Sequence, residues 1–335
     1  MTNIRKAIIY VLIFILSTSF FYIFRQYRRP GADSGEIVSF ASSREIMYYY
    51  RSPLTVFLHQ IFYKILSPFG MRVEDVISLL SATAGGFFVL ILISFSRSFL
   101  FLLFNLSAGV MFIFLGHIEH YAWVNMMLGF YFLQAKKFFE GAPNIIFLTI
   151  VLCITCLFHM LAVFYFPTLL FLFLNPQKKD GKLQVFLPAK KDIEKIMIVL
   201  VLFFLILTFL PLILPTRGLD NNFSRLVPLF KNPNPQRYYF TMFSLEHFKL
   251  LLYFYMMASP LGFFFLIMLI GRIRTRFHKF LLLALGCALF WEFIWHPDMG
   301  KLDWDLFSNF AIPLNILVGL LLIEKNSKEL KNNAK

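Results

Sequence analysis

Residues 30–53 read PGADSGEIVSFASSREIMYYYRSP. This stretch is the first polar interruption after an apolar run at residues 7–24, and the rest of the chain is mostly apolar. It holds two carboxylates three residues apart, Asp33 and Glu36, then a run of aromatics, then Arg51. D-S-G-E has capping-box spacing, so Asp33 is the expected N-cap of a helix running on to Tyr50. Ser52 followed by Pro53 marks the start of a second helix. Leu54, Phe57, Leu58, Ile61, Phe62, Ile65 and Leu66 then form an apolar stripe at helical spacing, with His59, Gln60 and Lys64 off it. That pattern predicts an amphipathic helix lying in a membrane interface, ended by Pro68 and Gly70.

The surroundings are membrane-like. The 335 residues are 59% hydrophobic and 15% charged, with mean hydropathy +0.71. A soluble domain is nearer half apolar and about a quarter charged. Repeated apolar runs of about 20 residues match the length of a helix that crosses a bilayer. Ten spans are expected, at 7–24, 76–95, 98–115, 121–134, 144–158, 160–174, 196–215, 248–271, 277–296 and 305–323. The fold class is therefore all-α and polytopic, with amphipathic helices in the first exterior loop. Residues 1–323 form one transmembrane domain, loop 25–75 holds the site, and 324–335 is a basic cytoplasmic tail. Cys153, Cys156 and Cys287 fall inside apolar segments and imply no disulfide framework.

The net charge of +14 does not call for a nucleic-acid partner. With both termini cytoplasmic, the cytoplasmic pieces hold 19 of the 32 Lys and Arg but 6 of the 18 Asp and Glu. That asymmetry is the positive-inside rule. Arg25, Arg28 and Arg29 breach it just outside the first span, and such a breach marks a candidate anion site. The basic loop 175–195 is expected to lie on membrane lipid headgroups.

Ionisable groups collect on the exterior side. GHIEHYAW (116–123) brings His117, Glu119 and His120 together. Imidazole and carboxylate suit zinc or manganese, so a divalent metal is one reading of this H-x-E-H and an acceptor- or sugar-binding role for Glu119 is the other. His159 lies between two short spans and is a candidate for the cavity floor. WHPDMGKLDWDLF (295–307) carries Lys301, Asp303 and Asp305 in a dense polar loop. Arg51, Arg217, Arg237 and Lys301 are candidates to hold a phosphate, arginine through its bidentate donors. His59 completes the set. For each, the structural alternative is a cap, an interfacial belt or a hydrogen-bonded core residue.

With its DSGE after the first span, a Pro-started second helix and SATAGG (81–86), the chain resembles the GT-C superfamily of membrane glycosyltransferases, in its protein O-mannosyltransferase-like branch. The resemblance covers residues 1–130 and 296–313. It implies a sugar donor on a polyprenyl or dolichyl phosphate, Asp33 as catalytic base with Glu36 as its partner, and a matching role for Glu119. DWDLF (303–307) resembles a late motif of bacterial members. Two departures stand: YYYRSPL (48–54) replaces a His-Pro-Pro-Gly-Tyr-Pro segment, and no soluble C-terminal domain follows the last span.

The resemblance thus implies an inverting, mannosyltransferase-like glycosyltransferase acting on a protein, glycan or lipid acceptor; the one-sided polar groups put its site at the exterior face, and the short, Lys/Ile/Phe/Asn-rich chain points to a bacterial inner membrane. It needs one base and no cofactor, since Arg and Lys can stabilise a lipid monophosphate leaving group. A lipid-sugar transporter or flippase, and a non-catalytic envelope-assembly subunit, remain open beside it.

Overall fold

The computed structural model describes residues 3–28, 34–142, 144–173, 176–179, 182–185, 189–217, 225–231 and 240–333. Helix dominates it, as the long apolar runs require: inside a bilayer only intra-segment hydrogen bonds can satisfy the backbone. The first helix, α1 (Asn3–Ile23), lies with most of its surface outward and packs on α4 (Val73–Phe95), the most enclosed of the long spans. Gly85 and Gly86 permit that contact. A Cβ on Gly85 would meet Phe21 at 2.6 Å, and one on Gly86 would meet Thr18 at 2.2 Å. Small residues let helices approach where burial from water supplies no drive.

Among the described residues, four helices are unbroken, long and apolar enough to cross a membrane: α1 with its one-turn extension, α4, α9 (Lys190–Ile213) and α12 (Arg276–Ile294). Two bent pairs raise the number to six. One is α10 (Leu245–Ala258) with the helix from Gly262 to Arg272, bent by 91°; the other is the short turns of Gly300–Ser308 with α13 (Ala311–Asn333), bent by 53°. Of the remaining expected spans, 121–134 falls in one unbroken 19-residue helix and the others are short or interrupted. Residues 98–115 divide into α5 (Phe99–Leu106) and a 3-10 stretch, Gly109–Phe114. Then follow α6 (Tyr121–Phe139), the 14-residue α7 (Ile145–Phe158), a 3-10 stretch (Met160–Tyr165) and α8 (Phe166–Phe173). An apolar run reports hydrophobicity, not continuity. Breaks are tolerated where neighbouring helices enclose them. At Ser259, between the bent halves, the hydroxyl donates to Asn315 Oδ1 of α13 at 2.6 Å.

The first loop departs from its expected form. The helix begun at D-S-G-E, α2 (Ser34–Ala41), stops nine residues short of Tyr50. Ser42 Oγ donates back to Val38 O at 2.8 Å, and the chain then opens into β1 (Tyr48–Tyr49). Gln60, wholly buried, holds the opened segment. Its Nε2 donates to Phe40 O (3.0 Å) and Glu45 O (3.2 Å), while its Oε1 accepts from Met47 N (3.1 Å). The second helix, α3 (Pro53–Leu66), begins at Pro53 as expected, although the Ser52 side chain makes no capping bond. Its apolar side turns outward, as a helix lying in a membrane interface requires, but its polar side turns to protein and not to water. His59 and Gln60 are buried, whereas Phe57, Phe62 and Ile65 are exposed. His59 and Gln60 face protein, Leu54 and Leu58 pack at the edge of the core, and Phe57, Phe62 and Ile65 are left for lipid.

Candidate active site

Three segments distant in sequence are tied together at the loop end of the bundle. β1 pairs in parallel with β4 (Thr216–Arg217), with Tyr49 opposite Arg217, and Tyr48 N donates to Pro215 O at 2.8 Å. Two residues on, Arg51 O accepts from Met160 N at 2.7 Å, and Thr55 Oγ1 donates to Phe158 O at 2.8 Å. These bonds set Arg51 beside His159. On the other side, Leu226 bridges Trp295, and His296 N donates to Arg225 O at 2.6 Å.

Between these segments lies a cavity of about 430 Å3. Arg51, His159, Arg225, His296, Asp298 and Asp303 supply its polar groups, and Tyr50, Tyr121, Trp291 and Trp295 its aromatic walls. Arg225 Nη1 pairs with Asp298 Oδ2 at 2.9 Å, and His296 Nδ1 lies 3.4 Å from Asp298 Oδ1. Asp303 Oδ2 accepts from Met299 N at 2.8 Å, which turns the loop back on itself. A second, almost wholly apolar groove of about 440 Å3 adjoins the cavity, sharing Val163 and Phe164 with it and continuing past Pro167, Leu283, Gly286 and Phe290 along α12. A larger cavity of about 620 Å3 lies at the other end of α12, among Lys136, Arg276, His278 and Glu324, and holds none of the expected site residues.

His159 in the cavity wall is backed by two further histidines, His59 and His120, from other elements. His120 stacks on Tyr49 (centroids 5.1 Å) and lies 6.5 Å from the ring of His159. His159 Nδ1 accepts from Leu161 N at 3.1 Å, which leaves its proton on Nε2. Burial lowers the pKa of His59 to about 4. Burial, and then the Arg51 charge, lower that of His159 to about 3. His120 is lowered well below its usual range by burial first, then by His159, His59 and Arg51. All three are neutral at neutral pH. Arg51 and Arg225 bring guanidinium groups to the cavity lining.

The expected site residues fall into groups. Arg51, His159 and Asp303 line the cavity; His59 and His120 stand behind it. Glu119 is buried and accepts from Ser34 Oγ at 3.4 Å, so the start of α2 touches the strand of chain that leads through His120 to the cavity wall at Tyr121. Glu36 sits exposed in the first turn of α2. His117 and Asp305 bond each other instead of lining the cavity. Lys301 is exposed and lies 5.2 Å over the ring of Tyr253. Arg28 lines a separate pocket, held there by its bond to Ser78. The backbone of Arg217 is placed against Tyr49 by β4. Asp33, Arg29 and Arg237 lie outside the described residues. Among the described residues, no group of three His, Cys, Asp or Glu side chains is arranged to hold a metal ion.

Sequence reasoning left out Arg225, His296 and Asp298. His296 and Asp298 sat in the polar loop already noted, where WHPD could have marked them. Arg225 is a lone cation in NNFSRLVPLF, and only the chain pairing at 225–227 gives it a place.

No family model matches the chain, and no curated protein matches it either. Among solved structures it is similar to ArnT from Cupriavidus metallidurans, in a crystal structure bound to undecaprenyl phosphate. The identity is 12% and the TM-score 0.61, over 96% of this chain and 60% of that one. The chain thus spans about three fifths of the solved protein's length. At that identity the likeness is one of fold: the chain shares the polytopic, all-helical membrane architecture of that protein.

Proposed function

We propose that the chain is a membrane glycosyltransferase that moves a sugar from a polyprenyl-phosphate donor to an acceptor hydroxyl, with inversion and in a mannosyltransferase-like reaction, at the exterior face of a bacterial inner membrane. The observation that carries this reading is the continuity of a polar cavity holding Arg51 and Arg225 with an apolar groove along α12. A phosphate with a long isoprenoid tail needs both, side by side, at the depth where a bilayer ends. The undecaprenyl phosphate bound by the solved protein of the same fold supports a donor of that class.

Asp33, with Glu36 as its partner, takes the proton of the acceptor hydroxyl as the new carbon–oxygen bond forms at the sugar's anomeric carbon. The anomeric carbon–phosphate oxygen bond breaks, and polyprenyl monophosphate leaves with the electron pair. Arg51 and Arg225 are placed to stabilise that phosphate, because guanidinium groups in a water-poor cavity act where charge develops. No cofactor is required by these steps. The contact of Ser34 with Glu119 sets the start of α2 beside the wall segment 119–121.

The test is donor turnover. Protein in lipid receives a panel of labelled polyprenyl-phosphate sugars with a cell-envelope extract as acceptor source, and polyprenyl phosphate release is followed. Loss of turnover in Asp33→Asn, with donor binding retained, supports the base assignment. Undiminished turnover in Asp33→Asn and Glu36→Gln removes both from catalysis and leaves them as helix-start residues. No turnover by wild type with any donor transfers the cavity to a transporter or to an assembly subunit.

A further inference from the structure

The arginines that breach the charge rule do not reach the cavity. Arg25 and Arg28 meet Arg72, from the other side of the first loop, around a pocket of about 260 Å3 that also takes in Gln26, Glu74 and Asp75. The cluster is held in place. Arg25 Nε lies 3.5 Å from Asp75 Oδ1, and Arg72 Nε donates to Asp75 Oδ2 at 3.1 Å. Arg25 Nη1 donates to Tyr22 O at 3.1 Å, and Arg28 Nη1 to Ser78 Oγ at 2.9 Å, while that hydroxyl donates on to Gly116 O. Three guanidinium groups face two carboxylates, so the pocket is net positive. Each guanidinium has five N–H donors, and these bonds use a minority of them.

Below the pocket the surface is apolar. Ile23, which lines it, is exposed, as are Leu16, Phe20 and Phe24 on the same helix. Such residues have no reason to face out of the protein unless lipid covers them. A positive pocket a phosphate could fill, at the end of an apolar face one acyl chain could follow, has the two-part chemistry of an anionic phospholipid. It also gives the breach of the positive-inside rule a purpose, because Arg on that side disfavours the topology the rest of the chain adopts.

We propose that the Arg25–Arg28–Arg72 pocket binds the phosphodiester headgroup of an anionic phospholipid, with its acyl chain along α1. The ligand would be a component of the surrounding bilayer rather than the donor, and the inference stands independently of the glycosyltransfer reading. Basic residues at a membrane surface add roughly a fivefold preference each for anionic lipid.

Purified full-length protein in detergent, stripped of lipid, would be titrated with short-chain phosphatidylglycerol, short-chain phosphatidylcholine and inorganic phosphate, with bound lipid counted by native mass spectrometry. The expected result is saturable binding of one phosphatidylglycerol, at least tenfold weaker binding of phosphatidylcholine, and no competition from millimolar phosphate. Arg72→Gln, at an exposed position, should weaken binding about fivefold, and Arg25→Gln/Arg28→Gln/Arg72→Gln should abolish it while the helical circular dichroism is retained. Equal affinity for the two lipids overturns the proposal, as does wild-type binding by Arg72→Gln. Competition by inorganic phosphate at the lipid's own affinity overturns the lipid as occupant and makes the pocket a soluble-anion site.

Discussion

His117 Nε2 lies 2.5 Å from Asp305 Oδ2, with both side chains buried and 188 residues between them in sequence. The bond ties the loop that carries Glu119 to the loop that carries Asp303. It is a clamp between two walls of the site. Asp305 also holds its own loop, accepting from Leu306 N at 2.8 Å through its second oxygen. Asp305→Asn should destabilise the protein by roughly 1–3 kcal/mol, the usual cost of a weakened buried hydrogen bond with a stranded partner. His117→Ala and Asp305→Ala should cost less together than the sum of their separate effects, read as thermal midpoints in one detergent. Strict additivity would mean that the two groups do not act as a pair.

Gln60 is predicted to be the residue on which the form of the first loop depends. Gln60→Leu keeps the size of the side chain but removes three hydrogen bonds, to residues 40, 45 and 47. The expected loss is about 3 kcal/mol at about 1 kcal/mol per bond. Limited proteolysis should then cut between residues 42 and 47, where wild type resists.

Acid should weaken the fold through its buried histidines. Unfolded imidazole binds its proton near pH 6.5, but folded His59 does so only near 4 and His159 near 3. Between those values the unfolded chain binds more protons, so stability falls as the pH drops from about 6.5 and goes on falling to about 3. The His59 shift alone is worth up to about 3 kcal/mol. Thermal midpoints measured from pH 7.5 to 4 should fall steeply in wild type and less so in His59→Asn. Identical slopes would show that His59 stays hydrated in the folded protein.

The groove carries a prediction of its own. A Cβ on Gly286 would meet nothing within 4 Å, so a side chain there can be accommodated without moving the backbone. Gly286→Phe would fill the groove that leads away from Phe164. Under the proposed function it should raise KM tenfold or more for a long-chain donor and leave a donor with a single isoprene unit nearly unaffected. An equal rise for both would place the lipid tail elsewhere.

Much of this molecule was legible in the chain. The apolar runs required helices, because a bilayer leaves the backbone no other partners. Ser52 and Pro53 marked the start of α3, and the small residues at 85 and 86 lie where two spans touch. The α3 stripe gave the helix and its outward apolar side but not the partner of its polar side. Period alone shows which residues share a face, and not whether the polar face meets water or protein. His59 and Gln60, expected to face away from the apolar side, were drawn inward because only protein could offer Gln60 its three hydrogen bonds.

The sequence by itself determined that this is a polytopic helical membrane protein with its polar residues gathered at loop ends. Which of those residues meet was decided by tertiary structure. Arg51, His159, Arg225 and Asp303 come to one cavity only after β1 pairs with β4, Arg51 O is bonded by Met160 N, and residues 225–227 lie along 294–296. Arg28 and His117, which looked equally suited to a substrate, were taken by Ser78 and Asp305. A buried polar group pairs with whatever partner the packing brings within about 3 Å, and no local pattern in the chain encodes that partner.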